Sequence, residues 1–352
     1  MSFKLPSEIL NNFLKENKCK SFLVVKKNDT IVELGDKKDW VICEDPNFEN
    51  INLLDSLTKN GIMILSKNIK LKEQKDFMEN IKYIYDEEYS NRFTTEFKIP
   101  EEFKIMIFRK FYLYPQDNYK LALIRNKPEN LNKNIDWLPN IKEIGNYLNY
   151  RDYFKNVKSK SIMLDIGANV GLSSCPVLSK GHIVYCFEPE KINLEMLKQI
   201  KKYNNFENMH IEDKVVCDYD GEISFFSNIN REDNSSISKA CSGGNVCPTG
   251  IIEKKYPCIK LDTWYEKNKK NVKLEDIQLI KIDTQGAEFD ILKGGKQLLS
   301  LCSTHKKCMI EIECDRGFMS KRKITFEEIS DYLDTVGFKL KSKGYDSVFI
   351  PK

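Results

Sequence analysis

The stretch that decides the fold is "SIMLDIGANVGLSS", residues 161–174. An apolar run ends at Asp165, Gly167 and Gly171 follow four residues apart, and a helix is predicted to begin near Val170. Glycines at these positions let the backbone bend tightly between a strand and a helix whose first amides have no partners. Such a turn is typical of the first strand–helix junction in a nucleotide-binding α/β domain. The stretch predicts that fold and leaves the ligand open.

The turn lacks the features of a phosphate-binding loop. No Gly-Lys-Ser/Thr follows it, which excludes a P-loop. In the dinucleotide fingerprint the middle glycine lets pyrophosphate approach the backbone, and here Asn169 occupies that place. A side chain there suits a ligand without phosphates, because it can bond a carboxylate or an amine instead.

An acidic residue marks the end of the next predicted strand. Glu188 closes "HIVYCFEP" (182–189) and lies 21 residues after Gly167. An acid at this place accepts both ribose hydroxyls of an adenosine, which taken alone also fits NAD. Combined with the Gly-Ala-Asn-Val-Gly turn, it favours S-adenosylmethionine, whose sulfonium and amino-acid tail need no phosphate cradle. The alternative is a surface glutamate before Pro189.

Strands and helices alternate from about residue 158 to the end of the chain. This order predicts a doubly wound, mainly parallel sheet with right-handed crossovers, closed by an antiparallel hairpin around "KGYD" (343–346). The strand predictions are 161–167, 182–189, 208–216, 279–283, 307–313 and the two hairpin strands. We further expect a kink at Pro176, a hairpin at the Asp-Gly turn 220–221, and a helix break at Gly294–Gly295.

The sequence before residue 158 is assigned to a separate domain or extension. Residues 1–157 predict a small α/β domain or extension without a recognisable motif, and residues 158–352 form the second domain. The first region and the polar loop 227–256 have the least generic sequence. We therefore expect a role for residues 1–157 in acceptor binding or oligomerisation.

Composition narrows the class of protein. The 352 residues are 41% hydrophobic and 31% charged, with a net charge of +4. The chain has no apolar run of roughly 20 residues to cross a membrane and no basic tract for nucleic acid, so a cytosolic protein is the expectation. Cys302, Cys308 and Cys314 are six apart with His305 between the first two, but without a CxxC pair they predict buried free thiols rather than zinc ligands.

The segment "KIDTQGAEFDILKGG" (281–295) supplies the second acidic group. Asp283 follows an apolar strand at the carboxyl edge, where it can take a proton from a hydroxyl or hold a divalent cation. Glu288 can cap the following helix or turn toward the same cleft. Glu311 and Glu313 are two apart on the next strand and therefore share one face.

Seven motifs, in order, carry a resemblance to a known family. They are "LDIGANVG" (164–171), "VYCFEPE" (184–190), "DYDGEISF" (218–225), "NSS" (234–236), "KLDTW" (260–264), "LIKIDTQGAEFDILKGG" (279–295) and "MIEIE" (309–313). The chain thus resembles the FkbM-type family of S-adenosylmethionine-dependent methyltransferases over roughly residues 160–315. The resemblance implies a class I, Rossmann-like fold with a seven-stranded sheet, and methyl transfer to oxygen, commonly a hydroxyl of a sugar or a natural product.

The resemblance also implies roles for particular residues. Those that would hold the methionine part of the cofactor are Asp165, Gly167, Ala168, Asn169 and Gly171. Glu188, with Pro189 beside it, would hold the ribose, and Val215 and Val216 would border the adenine. Asp283 would be the catalytic or substrate-facing acid, with Glu288 beside it.

One departure from the family concerns the base. The fifth strand often ends in Glu-Ile-His in this family, and Glu313 replaces that histidine here. Proton removal would then fall to Asp283 or another carboxylate, and a divalent metal such as magnesium would assist. Two alternatives stay open: an NAD-dependent oxidoreductase on the same sheet, and a non-catalytic scaffold that keeps the cofactor fold. Self-association is also left open.

Overall fold

A computed structural model describes the backbone of six strands between residues 22 and 124, the single residue Phe154, and residues 160–228, 235–242 and 251–352. The chain divides into two compact units, residues 1–114 with 122–140 and residues 115–121 with 141–352. The boundary at 157/158 and residues 229–234 and 243–250 of the predicted polar loop 227–256 lie outside the described residues, whereas residues 251–256 lie in a strand and not in a loop. Of the helices in the described ranges, none is long and apolar enough to cross a membrane.

A six-stranded sheet lies between residues 22 and 124. In it β1 and β2 are parallel, β2 and β3 are parallel, and β5 is antiparallel to both β3 and β4. The strand order is β1-β2-β3-β5-β4, with β6 paired to β5. The bounds are β1 Phe22–Lys26, β2 Lys38–Glu44, β3 Thr58–Ser66, β4 Tyr83–Tyr85, β5 Lys104–Gln116 and β6 Tyr119–Ile124.

The second unit is built on a seven-stranded sheet of order β15-β16-β14-β13-β7-β8-β9. Five neighbouring strands are parallel, and β16 runs antiparallel between β14 and β15. The bounds are β7 Ile162–Ile166, β8 Ile183–Phe187, β9 Met209–Glu212, β13 Ile277–Ile282, β14 Met309–Glu313, β15 Phe338–Ser342 and β16 Asp346–Pro351. The predicted doubly wound sheet and its terminal hairpin are therefore confirmed.

Helices pack against this sheet and bury its central strands on both faces. All five residues of β7 are buried, and α2 buries Leu194, Leu197 and Ile200 at helical spacing. The helices are α1 Ser174–Leu178, α2 Lys191–Asn204, α3 Leu261–Asn268, α4 Glu288–Gly294, α5 Lys296–Thr304, α6 Arg316–Arg322 and α7 Phe326–Thr335. The predicted break between α4 and α5 is confirmed. A Cβ on Gly294 would lie 2.0 Å from the Cys217 carbonyl oxygen.

Two local predictions are corrected around α1. The helix begins at Ser174 rather than near Val170, because residues 167–173 are used by the turn. Pro176 consequently lies in the first turn, where its missing N–H removes no helical hydrogen bond, and the five-residue helix has nothing to kink.

The predicted third strand and the predicted hairpin are also corrected. Residues 208–216 divide into β9 of the main sheet and β10 (Val215–Cys217) of a small sheet with order β10-β12-β11. β11 (Gly221–Asn228) pairs with β12 (Ile251–Lys260) instead of with β10. The Asp220 carboxylate fixes this arrangement by accepting hydrogen bonds from the Lys260 amide at 2.9 Å and the Thr263 hydroxyl at 2.7 Å.

Candidate functional site

The turn after β7 is shaped by close backbone packing. Gly167 has a φ of +82°, and a Cβ there would lie 1.8 Å from the carbonyl oxygen of Asp283. Asn169 has a φ of +50°, a left-handed conformation that asparagine tolerates better than most residues. Gly171 also has a positive φ, of +77°. The glycine spacing read from the sequence therefore reflects both the bend of the turn and the contact between two strand ends.

The amides of this turn fasten it to β8. The N–H groups of Gly167 and Ala168 both donate to the Phe187 carbonyl at 3.0 Å. The Asn169 N–H donates to the Glu188 Oε2 at 2.9 Å. Gly167, Ala168 and Asn169 therefore define the shape of the turn through bonds to the neighbouring strand end.

Glu188 is a buried carboxyl at the end of β8. Its Oε1 accepts the Glu190 N–H at 2.8 Å, so each carboxyl oxygen holds one backbone amide. Burial raises its pKa to about 7, although the hydrogen bonds from Glu190, Asn193 and Asn169 favour the ionised form. These three donors occupy three of the roughly four acceptor positions of the carboxylate, which leaves one for a ligand hydroxyl. Pro189 follows it and is half-buried.

The two valines predicted near the adenine lie in β10. Both are buried, Val216 in the main core and Val215 in the core of the small sheet. In β9, the Glu212 backbone carbonyl accepts the Glu188 N–H at 3.0 Å, and Glu212 Oε1 accepts the Trp264 indole N–H at 3.1 Å. The contact with adenine stays a prediction.

Asp165 and Lys281 form a buried ion pair across neighbouring strands. They are directly opposite each other in the pairing of β7 with β13. Asp165 is completely buried, its Oδ2 accepts the Ser174 hydroxyl at 2.5 Å, and its Oδ1 lies 3.5 Å from the Lys281 Nζ. Burial raises the pKa of Asp165, and Lys281 opposes this effect. Lys281 was not among the residues predicted for the site, although a lysine inside the apolar strand "LIKI" (279–282) is a signal for it.

Asp283 lies beside this pair and reaches the surface. Its side chain is 34% exposed, and its Oδ2 lies 3.1 Å from the Lys281 Nζ. Burial acts to raise its pKa, but Lys281 and hydrogen bonds from its neighbours outweigh this effect and hold it below the ordinary value. Asp283 is therefore a partly exposed carboxylate at the edge of the sheet, and it favours the ionised form.

Glu313, at the end of β14, has the opposite character. It is buried, hydrogen-bonds Asp283, and accepts the Tyr345 hydroxyl at 2.5 Å. The Gln285 amide bridges the two acids, 3.2 Å from Asp283 Oδ1 and 3.0 Å from Glu313 Oε2. Burial and the charges of Asp283 and Glu288 raise the pKa of Glu313 well above its ordinary value. Within the pair, Asp283 therefore favours the ionised form and Glu313 the neutral form.

Glu288 binds the loop that follows Asp283. Its Oε1 accepts the amides of Thr284 and Gly286 at 3.0 Å each and the Thr284 hydroxyl at 3.2 Å. Between these residues Gln285 has a φ of +57°, which is strained for a side chain of this kind. Glu288 thus holds the backbone that positions Gln285 and Asp283.

The other residues considered for chemistry are buried. Glu311 lies opposite Lys281 in the pairing of β13 with β14. Cys302, Cys308 and Cys314 are buried free thiols, as predicted. Among the described residues, no group of three or more His, Cys, Asp or Glu side chains has an arrangement that could hold a metal ion.

The chain is similar in sequence to a known family of domains. The sequence profile described as "Methyltransferase FkbM domain" matches residues 165–345, just over half of the 352-residue chain. None of the curated protein sequences compared with the chain matches it.

Solved structures of methyltransferases are similar to the chain at low identity. The T. thermophilus 16S rRNA N2 G1207 methyltransferase RsmC, in complex with AdoMet and guanosine, is 7% identical with a TM-score of 0.33, over 91% of this chain and 74% of that one. M. jannaschii TYW2 with AdoMet is 13% identical with a TM-score of 0.32, over 69% and 87%. A SAM-dependent methyltransferase from Agrobacterium tumefaciens is 9% identical with a TM-score of 0.35, over 68% and 69%. Because these TM-scores are below 0.5, the assignment of the chain to a family rests on the profile match to residues 165–345.

Proposed function

The chain belongs to the FkbM methyltransferase domain family, and from that premise we propose that it transfers a methyl group from S-adenosylmethionine to a hydroxyl oxygen of a sugar, a glycan or a related small molecule. One observation carries the proposal. The absent side chain of Gly167 lets the strand end that carries Asp283 touch the turn that is bonded to Glu188. A buried acid for ribose hydroxyls and a partly exposed acid for an acceptor therefore flank one turn.

The cofactor fits the residues on the β8 side of this turn. Glu188, with Pro189 beside it, would hold the ribose through a hydroxyl, because its three donors leave one acceptor position on the carboxylate. The turn residues Gly167, Ala168, Asn169 and Gly171 would border the methionine part. We assign Asp165 to the same site as support, since its contacts are with Ser174 and Lys281. Val215 and Val216 would border the adenine.

When bound, S-adenosylmethionine supplies a methyl carbon activated by the sulfonium. The chain's contribution is to bring the acceptor oxygen in line with that carbon, which accounts for much of the acceleration in such reactions. Asp283 is ionised and 34% exposed, so it would accept the hydrogen of the acceptor hydroxyl and take its proton as the bond to carbon forms.

Glu313 and Glu288 would support Asp283 in different ways. Glu313 stands where the family often has histidine, and as a protonated acid it donates to Asp283 instead of competing for the acceptor proton. Glu288 would fix the loop 284–286 through its three hydrogen bonds. Both would lower activity when substituted, although neither replaces Asp283 as the acid that meets the acceptor.

The acceptor itself would be selected outside this cleft. We assign residues 1–157 to acceptor binding or oligomerisation, and the loop 227–256 to acceptor binding, because they differ most from generic cofactor-fold sequence. Deletion of residues 1–150 is expected to abolish acceptor specificity while cofactor binding by the second unit persists. Unchanged specificity in the truncated protein would contradict this assignment.

The proposed function is tested by methyl transfer from labelled S-adenosylmethionine to a panel of sugars, nucleotide sugars and glycans, with and without magnesium. A labelled methyl ether on a panel member is the expected product, and Asp283→Asn should abolish it. Saturable binding of NAD without any binding of S-adenosylmethionine would favour the oxidoreductase alternative. Cofactor binding without transfer to any hydroxyl acceptor, including crude glycan extracts, would favour the scaffold.

A further inference from the structure

Lys281 is a buried cation in the middle of the sheet. It is 5% exposed and lies in β13, whose other residues are mostly apolar. Its Nζ lies 3.1 Å from Asp283 Oδ2 and 3.5 Å from Asp165 Oδ1, so it links the strand of the cofactor turn to the acid at the acceptor edge. Removing a lysine from water costs several kcal/mol unless carboxylates compensate it. The ion pairs with these two acids therefore account for the burial of Lys281.

Many acidic groups surround this lysine. Asp165 from β7, Asp283 after β13, Glu311 from β14 and Asp346 from β16 face the lysine. Glu288 from α4, Glu313 from β14 and Tyr345 before β16 face Asp283 or its partner Glu313. Neighbouring carboxyls in a buried site do not all ionise, because each charge raises the cost of the next. The position of the cation decides which of them does.

The geometry favours Asp283 over Glu313 as the charged member of their pair. Lys281 makes its ion pair with Asp283, whereas Glu313 donates to Asp283 and is itself buried at 6% exposure. The Gln285 amide holds one oxygen of each acid, which keeps the two carboxyl groups adjacent. The ion pair and the exposure of Asp283 therefore place the charge at the edge that an acceptor can reach.

We propose that Lys281 is a positioning residue for methyl transfer, which holds the negative charge of the carboxyl pair on Asp283 and leaves the proton on Glu313. Its role in catalysis rests on the proposed function. In the reaction, the acceptor oxygen forms a bond to the methyl carbon, the carbon–sulfur bond breaks with its electron pair kept by sulfur, and the hydroxyl proton passes to Asp283. Lys281 does not contact the reacting atoms and acts through Asp283.

The experiment compares Lys281→Met with the unmodified full-length chain and with Lys293→Met. Lys293 also pairs with two carboxylates, Asp290 at 2.7 Å and Asp218 at 3.3 Å, but its own side chain is 41% exposed. The side-chain carboxyl groups are titrated by 13C NMR without cofactor, with Asp283→Asn and Glu313→Gln used to assign the two resonances. The double variant Asp165→Asn/Lys281→Met is measured as well, because it removes the buried partner that Lys281→Met alone leaves unpaired.

In the unmodified chain, Asp283 is expected to titrate below Glu313. In both Lys281 variants the Asp283 pKa should rise by about one unit or more, as for the loss of an opposite charge within ~4–6 Å. The acid limb of the kcat profile should move to higher pH by the same amount, so that at any one pH on this limb, below the Asp283 pKa, the Lys281 variants keep about one tenth of the activity of the unmodified chain. Lys293→Met should leave the Asp283 titration in place.

An unmoved Asp283 titration in both Lys281 variants, or Glu313 titrating below Asp283 in the unmodified chain, would overturn the inference. The NMR result does not depend on turnover. If the unmodified chain transfers no methyl group, the proposed function fails while the titration still decides where the charge lies. If it does transfer methyl and the Lys281 variants keep the original pH profile, the inference alone fails.

Discussion

The two sides of the candidate site, on either side of the turn after β7, are built by different means. On the β8 side, the turn after β7 and Glu188 are joined by backbone amides, and the positive φ angles at Gly167 and Asn169 set the shape. On the β13 and β14 side, Lys281, Asp283 and Glu313 are joined by side-chain charges and a bridging amide. One side is thus a backbone scaffold and the other is an electrostatic network.

This difference predicts how each side responds to substitution. A backbone scaffold fails sterically, so changes there should alter stability and cofactor affinity. A charge network fails through protonation, so changes there should alter turnover and its pH dependence. The carbonyl of Asp283 against Gly167 is where the two sides meet.

The largest effect is expected for Asp283→Asn. The amide cannot accept the acceptor proton, so kcat should fall by about 10²–10⁴-fold, the range of a lost general base. The measurement is single-turnover methyl transfer at saturating acceptor. The Kd for S-adenosylmethionine should change little, because Glu188 is untouched. Turnover within twofold of the unmodified chain would show that Asp283 is not the base.

Gly167→Ala should cause the largest loss of stability. A methyl group there meets the Asp283 carbonyl at 1.8 Å in addition to the left-handed φ, and we expect a loss of about 3 kcal/mol or more in the free energy of unfolding. Gly181→Ala is the matched control. Gly181 has nearly the same φ, +85°, but nothing lies within 4 Å of the added Cβ. It should lose only about 1 kcal/mol.

Chemical denaturation of both variants provides the comparison. Equal losses for Gly167→Ala and Gly181→Ala would mean that the strand ends are not in close contact. That outcome would separate the two sides of the cleft and remove the observation on which the proposed function depends.

A smaller effect is expected for the pH dependence of cofactor binding. The carboxylate form of Glu188 accepts ribose hydroxyls, so the Kd for S-adenosylmethionine should rise by up to about tenfold per pH unit below its pKa of about 7. Calorimetric titrations from pH 5.5 to 8.5 measure this. Glu188→Gln should bind more weakly with a flat profile in this range, whereas Glu207→Gln, at an exposed position, should behave as the unmodified chain. A flat profile in the unmodified chain would contradict the role of Glu188.

The same group affects folding with a defined sign. Its folded pKa of about 7 lies above the ordinary 4.5, so between these values the folded state binds more protons than the unfolded state. The contribution of Glu188 to stability should therefore decrease as pH rises from about 4.5 to about 7. Glu188→Gln should remove this part of the pH dependence of unfolding.

The smallest effect is expected for Ser236→Ala. The buried Ser236 hydroxyl donates to the Gln285 carbonyl at 2.8 Å and helps to hold its left-handed backbone. Its loss should cost about 1–2 kcal/mol and lower kcat severalfold with little change in cofactor affinity. Ser303→Ala removes an exposed hydroxyl bond at 2.8 Å and is the control. Equal kcat values in the two variants would show that Gln285 does not need this support.

The backbone side of the cleft was largely predictable from the sequence. Glycine spacing, an acid at a strand end and the Gly294–Gly295 break are local signals, because each is imposed by the conformation of its own residues. The start of α1 was placed four residues too early for a related reason. The turn uses residues that a helix pattern alone would assign to the helix.

The charge network could not be predicted in the same way. Its contacts depend on which strands pair and in what register, as with Lys281 opposite Asp165 and Glu311. Gln285 and Tyr345 reach Glu313 from a strained loop and from the last hairpin. The small sheet was missed because β12 inserts beside β10 from later in the chain. The local pattern of the sequence does not show which of these distant residues lie close together in space.

The central claim is that the turn between Glu188 and Asp283 binds S-adenosylmethionine with the reactive group toward Asp283. The most direct test is a crystal structure with S-adenosylhomocysteine, the product of methyl transfer. We expect the ribose to lie on the Glu188 carboxylate and the sulfur to lie on the side of the turn that faces Asp283. A ligand seated away from Glu188, or with its sulfur turned away from Asp283, would contradict it.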